Sequence, residues 1–147
     1  MGAAVPKQFL TLAGKTVLEH SADTFQHHPL IDEMVIVCAS DWIERVRQMA
    51  EKKGWSKVRH IVAGGAERYL SSLNAMELYR GEPDCNLIFH DAARPLVSER
   101  IISDTIEALK EWQAVDAAMP ATDTVVVTKP GTPVITSIPD RSLLYCE

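Results

Sequence analysis

Apolar and polar positions follow two different patterns along this chain. Residues 34–39, Met-Val-Ile-Val-Cys-Ala, form a short continuous apolar run, the pattern of a strand buried on both faces. Shorter apolar stretches, interrupted or flanked by polar residues, fall at 58–62 and 86–90 and read as strands in the same way. Between them the apolar positions recur at helical spacing. Over 41–53, Ile43, Val46, Met49 and Ala50 stand among charges, with Ser40 or Asp41 placed to cap the first turn and Gly54 to stop the last. The same pattern returns over 67–80, ending at Gly81. It returns again over 98–112, where Ser98 is an N-cap and Ile101, Ile102, Ile106 and Leu109 make the buried stripe. Strands alternating with helices imply βαβ units, and so a doubly wound α/β domain whose mainly parallel sheet carries helices on both faces. Parallel strands are expected near 34–39, 58–62, 86–90 and 115–119. Further on, 123–128 and 133–138 are rich in β-branched residues and flank Lys129-Pro130-Gly131-Thr132. That predicts an added antiparallel hairpin over about 123–138, with an exposed Pro130-Gly131 turn. No internal repeat or low-complexity segment interrupts the pattern.

Composition narrows the function classes. A length of 147 residues with 46 % hydrophobic and 24 % charged residues suits a single globular domain spanning 1–147. The net charge of -5 gives no global field for a nucleic-acid backbone or an anionic membrane, so neither is an expected partner. A polyanionic ligand would need a local basic or backbone N–H site. No apolar run approaches the roughly 20 residues that span a bilayer, and no charged-then-apolar leader is visible, so a cytoplasmic location is expected. Pro6 stands where a myristoylation signal needs Ser or Thr. Cys38, Cys85 and Cys146 are far apart and odd in number, which reads as reduced thiols. None of His20, His27, His28, His60 and His90 has the i, i+4 partner of a zinc-protease helix.

In open α/β sheets, ligands bind beyond the carboxyl ends of the strands. Two segments that follow apolar runs therefore stand out. Ala63-Gly64-Gly65-Ala66-Glu67-Arg68 combines a turn that lets backbone approach a ligand with the start of a helix, whose N–H groups favour anions. Its bland reading is a loop that merely needs positive φ. His90-Asp91-Ala92-Ala93-Arg94-Pro95 places a carboxylate at a strand end with a guanidinium three residues on. Such a pair can hold Mg²⁺ and a phosphate, or it can simply close a turn. His90 reads more readily as a hydrogen-bonded structural residue than as a base. Lys7, in Pro6-Lys7-Gln8-Phe9, has nothing local to set it apart from a solvated surface charge.

Taken together and in this order, these segments resemble the cytidylyltransferases that make CDP-methylerythritol or CDP-ribitol. The matching stretches are Val5-Pro6-Lys7-Gln8-Phe9, Thr16-Val17-Leu18-Glu19-His20, Gly64-Gly65-Ala66-Glu67-Arg68 with Ser71, His90-Asp91-Ala92-Ala93-Arg94-Pro95, Asp123-Thr124 and Ile138-Pro139-Asp140-Arg141. They span essentially the whole chain, and the Pro-Lys-Gln-Phe and His-Asp-Ala-Ala-Arg-Pro pieces are specific. The resemblance implies a Rossmann-like nucleotidyltransferase that moves CMP from CTP to the phosphate of 2-C-methyl-D-erythritol 4-phosphate, releasing pyrophosphate. The alternative acceptor is ribitol 5-phosphate, towards which 71–74 and 138–145 lean. It further implies that Lys7 stabilises charge on the α-phosphate and that Arg141 joins it in catalysis. Gly65, Ala66, Ser71 and Ala92 would line the CTP pocket, and Asp91 would bind Mg²⁺. Arg94, Thr124 and Arg141 would hold the acceptor phosphate, partly across a homodimer interface formed by the hairpin region.

Members of this family carry an apolar strand and a Gly-rich, Arg-containing loop ahead of the segment matching Met1-Gly2. They also carry a metal-binding Asp and a Lys beyond the segment matching Tyr145, so the domain is expected to be incomplete at both ends. A non-catalytic α/β binding or dimerisation fragment is the competing reading from another class. An NAD-dependent dehydrogenase is disfavoured because no Gly-x-Gly-x-x-Gly follows a strand.

Overall fold

The computed structural model describes residues 5–82 and 84–146, and the chain divides into two compact units, with the division between Ser103 and Asp104. Lys7–Phe9 forms a 3-10 turn near the start of the first unit. A tight hairpin follows, β1 (Thr11–Leu12) and β2 (Lys15–Thr16), with positive φ at both corner residues, Ala13 and Gly14. A corner of this hand matches the twist of the strands it joins. Helix α1 (Val17–His27) starts from a reciprocal capping box: Thr16 accepts the Glu19 backbone N–H, while the Glu19 carboxylate accepts the Thr16 N–H.

Next come β3 (Met34–Cys38), α2 (Ile43–Lys53), β4 (Val58–Ala63) and α3 (Arg68–Glu77). β3 and β4 pair in parallel, with Ile36 opposite Ile61 and Cys38 opposite Ala63. The strands predicted at 34–39 and 58–62 are therefore present, joined by the predicted helix. Because they run in parallel, their carboxyl ends lie side by side, where the Gly64 N–H donates to the Cys38 carbonyl at 2.8 Å. One detail of α2 differs from expectation. Ser40–Trp42 form a 3-10 turn instead of a side-chain cap, and α2 begins at Ile43. Gly54 ends α2 as predicted, with φ 64 and its N–H turned back to the Ala50 and Glu51 carbonyls.

The core of this unit gathers Phe9, Leu18, Ala22, Cys38, Val46, Ala50 and Trp55. Phe9 stacks on Trp42 at 4.4 Å between centroids. At its margin the Asp23 carboxylate accepts Trp55 Nε1–H at 2.8 Å and pairs with Lys15 at 2.7 Å. Burial pushes the Asp23 pKa up, but the hydrogen bonds from Lys15 and Trp55 outweigh it and hold the group below the usual carboxylate value.

Two further expectations are corrected. Residues 86–90 are not a strand; β3 and β4 pair only with each other among the described residues. Leu87 and Phe89 are accordingly 36 % and 57 % exposed. Apolar composition supplies a side-chain preference for burial, whereas a strand also needs a neighbouring backbone to bond. Helix α4 (Glu99–Ala108) starts at Ser98 as predicted, the Ser98 hydroxyl accepting the Ile101 N–H at 3.3 Å. Its stripe is narrower than expected: Ile102 is buried, but Ile101 is exposed.

The second unit contains β5 (Met119–Pro120), β6 (Val127–Thr128), β7 (Ile135–Ser137) and β8 (Tyr145–Cys146). The parallel strand expected at 115–119 is replaced by β5, which pairs antiparallel with β8. Pro120 lacks the N–H that a longer central strand would have to donate. The predicted hairpin is present: β6 and β7 pair antiparallel, with Val127 opposite Ser137. Its turn is exposed, with Gly131 at φ 76 and the Thr132 N–H donating to Lys129, the geometry that a Pro-Gly pair favours.

Candidate functional site

The loop joining β4 to α3 is held from the helix side. Ser71 Oγ accepts the Gly65 N–H at 3.1 Å, and Asn74 donates its side-chain amide to the Ala63 carbonyl at 3.0 Å. Neither Gly64 nor Gly65 has positive φ; space is what requires them. A Cβ at Gly65 would lie 2.2 Å from the Leu70 Cβ, and one at Gly64 would lie 2.8 Å from Ser71 Oγ. The reading of this loop as one that merely needs unusual φ is thereby corrected to close packing of backbone on α3. Glu67, at the cap position of α3, makes no side-chain hydrogen bond to the first turn, an end that suits an anion.

The second loop closes on itself around Asp91. Asp91 Oδ1 accepts the Ala93 N–H at 2.9 Å, the Arg94 N–H donates to the Asp91 carbonyl at 2.9 Å, and His90 Nε2 lies 3.0 Å from the Arg94 carbonyl. A ring nitrogen facing a carbonyl must carry the proton, so Nε2 is the donor. Burial lowers the His90 pKa, so the neutral imidazole acts as a clasp. Beneath the loop, the hydroxyl of Ser21, buried in α1, lies 3.4 Å from both the Ala92 and the Arg94 carbonyls.

These two loops come together through Asp91. Its Oδ2 lies 3.8 Å from Arg68 Nη1, at the start of α3, and 4.0 Å from Arg94 Nε. One carboxylate oxygen is thus fixed by backbone while the other faces two guanidinium groups. Ala92 packs against the same core cluster that contains Phe9, in the turn of Lys7; the Lys7 side chain is exposed. In the second unit Arg141 donates to the Thr122 carbonyl at 3.0 Å, two residues from Thr124, and both Thr124 and Arg141 are exposed.

Ser21 has no place in the sequence pattern, while Arg68 and Asn74 fall within segments that stand out there but carry no role of their own. Ser21 carried a usable signal, since a hydroxyl between Leu18 and Ala22 on a buried helix face must find an acceptor. Among the described residues no three His, Cys, Asp or Glu side chains gather to hold a metal ion. An open cleft of about 550 Å³ lies instead between the end of α2 and β4, lined by Arg47, Gly54, Trp55, Arg59 and His60 among others. It contains none of the candidate residues, and the two loops beyond the strand ends are the better-founded site. Among the described residues no helix is long and apolar enough to cross a membrane.

The fold is shared with solved structures. A 4-diphosphocytidyl-2C-methyl-D-erythritol synthase from Anaerococcus prevotii matches with a TM-score of 0.82 over 99 % of this chain and 62 % of that one, at 27 % identity. The architecture is that of the Rossmann-like nucleotidyltransferases. The family described as 2-C-methyl-D-erythritol 4-phosphate cytidylyltransferase matches residues 1–146, and the chain belongs to it. A bifunctional ribulose 5-phosphate reductase/CDP-ribitol pyrophosphorylase of Haemophilus influenzae is 44 % identical over 99 % of this chain and 31 % of its own length. A 2-C-methyl-D-erythritol 4-phosphate cytidylyltransferase of Geobacter metallireducens is 43 % identical over 99 % of this chain and 63 % of its own length. The chain thus spans less than two thirds of the length of these relatives.

Proposed function

We propose that the intact protein is a cytoplasmic cytidylyltransferase that transfers CMP from CTP to the phosphate of 2-C-methyl-D-erythritol 4-phosphate and releases pyrophosphate. The observation that carries this reading is the family match over residues 1–146. The acceptor phosphate brings its own nucleophilic oxygen, so the protein needs no Ser or Cys nucleophile; its task is to align two anions and offset their charge. Gly65 and Ala66 offer close backbone approach to the nucleotide, Ser71 fixes their loop, and Ala92 borders the same pocket. Lys7 stabilises charge that develops on the α-phosphate. Arg94, Thr124 and Arg141 hold the acceptor phosphate, with Arg141 also orienting it for attack.

A divalent cation, Mg²⁺, fits this donor set. Mg²⁺ is commonly held by one or two carboxylates together with substrate phosphates, and Asp91 supplies one carboxylate with an oxygen left unclaimed by backbone. When bound, it would neutralise charge on the nucleotide phosphates. The hairpin supports a homodimer: Val125, Val126, Val127, Val134, Ile135 and Ile138 are all exposed, and a two-stranded ribbon is marginal without a partner surface.

The relative from Haemophilus influenzae, whose name includes a CDP-ribitol pyrophosphorylase, favours ribitol 5-phosphate as the second acceptor to test. Pyrophosphate release by the intact protein with CTP and each acceptor in turn separates the two. Turnover with neither overturns the reading.

A further inference from the structure

We infer that Arg68 is a positioning residue that moves between the Asp91 carboxylate and the polyphosphate of an incoming nucleotide, opposing a bare cation and favouring one that arrives with phosphate. This rests on the proposed role of Asp91 as a metal ligand. Asp91 Oδ1 is taken by the Ala93 N–H, so a cation would approach Oδ2. That oxygen already faces two guanidinium groups, at 3.8 Å and 4.0 Å. A cation placed there meets like charge, which disfavours it unless one guanidinium withdraws.

The two arginines are not equally free to do so. Arg94 lies three residues from Asp91 on the same closed loop, and its side chain is the less exposed of the two, at 58 %. Arg68 comes from a different element, its side chain is 78 % exposed, and its 3.8 Å approach is an ion-pair distance too long for a hydrogen bond. Arg68 is also the first residue of α3, directly after the Gly64-Gly65 loop. A nucleotide whose base and ribose lie against that loop, with its phosphates at the cation on Asp91, would offer Arg68 two oxygens at once, the bidentate match that a guanidinium favours. Asp91 would then be released to the cation as Arg68 transfers to phosphate. The ligand that completes this exchange is a nucleoside triphosphate carrying its divalent cation.

The inference predicts effects of opposite sign from one substitution. In the intact protein without nucleotide, Arg68→Gln should bind Mn²⁺ several-fold more tightly by electron paramagnetic resonance titration, because a competing positive charge is gone. With cation present, the same variant should bind CTP about tenfold more weakly by calorimetry, the scale of one lost charge-assisted hydrogen bond. Arg68→Lys should keep Mn²⁺ affinity near wild type and still weaken CTP binding, since a point charge replaces the fork. A merely structural residue would move both affinities in the same direction. Unchanged or weaker Mn²⁺ binding in Arg68→Gln, or unchanged CTP binding, overturns the inference. Asp91→Asn is the control for the underlying reading. If it fails to weaken Mn²⁺ binding, the metal role of Asp91 falls and the inference with it; if it weakens binding while Arg68→Gln does not tighten it, only the inference falls.

Discussion

Ser71 accepts the backbone N–H of Gly65 at 3.1 Å, and a Cβ on the adjacent Gly64 would meet the same hydroxyl oxygen at 2.8 Å. Helix α3 therefore fixes the β4–α3 loop by contact as well as by hydrogen bonding. Gly65→Ala would drive a Cβ to 2.2 Å from the Leu70 Cβ, where neither side can yield without moving backbone. Overpacking of this kind typically costs about 1–3 kcal/mol. Urea denaturation should show that loss, accompanied by a raised KM for CTP. Ser71→Ala removes no packing and leaves a Gly65 N–H that water can reach, so stability should fall by less than about 1 kcal/mol. A KM for CTP that rises several-fold with little change in Tm is the expected result for that variant.

The start of α1 offers a separate test of local design. Thr16 and Glu19 satisfy each other's backbone N–H groups. Thr16→Ala should cost about 1 kcal/mol, and Thr16→Ser should restore most of it, because only the cap oxygen is needed. The readout is the midpoint of denaturant unfolding.

Stability should fall with acid in two stages. His90 has a pKa lowered from 6.5, first by burial. For a group depressed in the folded state, the stability it contributes is complete above the unfolded pKa and is lost as pH falls through the folded one. Loss should therefore begin below about pH 6.5. For Glu19 and Asp23, burial raises the pKa, but hydrogen bonds prevail: those of Thr16 and Lys53 at Glu19, and those of Lys15 and Trp55 at Asp23. Both end below their ordinary values of 4.5 and 3.8, so their contribution is lost only below that range. Urea midpoints measured from pH 8 to pH 3 should show both stages, and His90→Gln should remove the first alone.

The readable parts of the fold were those set by nearby residues. The apolar stretches at 34–39 and 58–62, the stop at Gly54 and the Pro130-Gly131 turn each announce a local conformation, and each is present. The stretch at 86–90 reads as a strand in the same way yet has no ladder, because the partner backbone a strand requires is not encoded in the strand itself. The site divides in the same way. The Gly-Gly loop and the Asp91 loop stood out by composition, but the Ser21 hydroxyl beneath Ala92 acts across 71 positions. The approach of Arg68 to Asp91 likewise exists only once β4 and α3 have placed the two loops together. A motif names residue types; tertiary packing decides which of them face one another.

The proposed chemistry makes three residues separable in one assay of pyrophosphate release by the intact protein. Asp91→Asn removes charge from the cation ligand but keeps the side chain nearly isosteric. Its Oδ1 can still accept the Ala93 N–H that closes the loop at 2.9 Å. The fold should therefore persist while turnover collapses. Lys7→Ala acts where negative charge develops on the α-phosphate, so kcat should fall more than CTP affinity, by on the order of 10²–10³. The Lys7 side chain is exposed, so little stability should go with it. Arg94 is tied to the loop through its backbone N–H and carbonyl, and Arg94→Ala leaves both in place. Its effect should appear mainly as a raised KM for the polyol phosphate, with the KM for CTP nearly unchanged. Wild-type turnover in Asp91→Asn would remove the metal role, and a raised CTP KM in Arg94→Ala would move that guanidinium from the acceptor to the nucleotide.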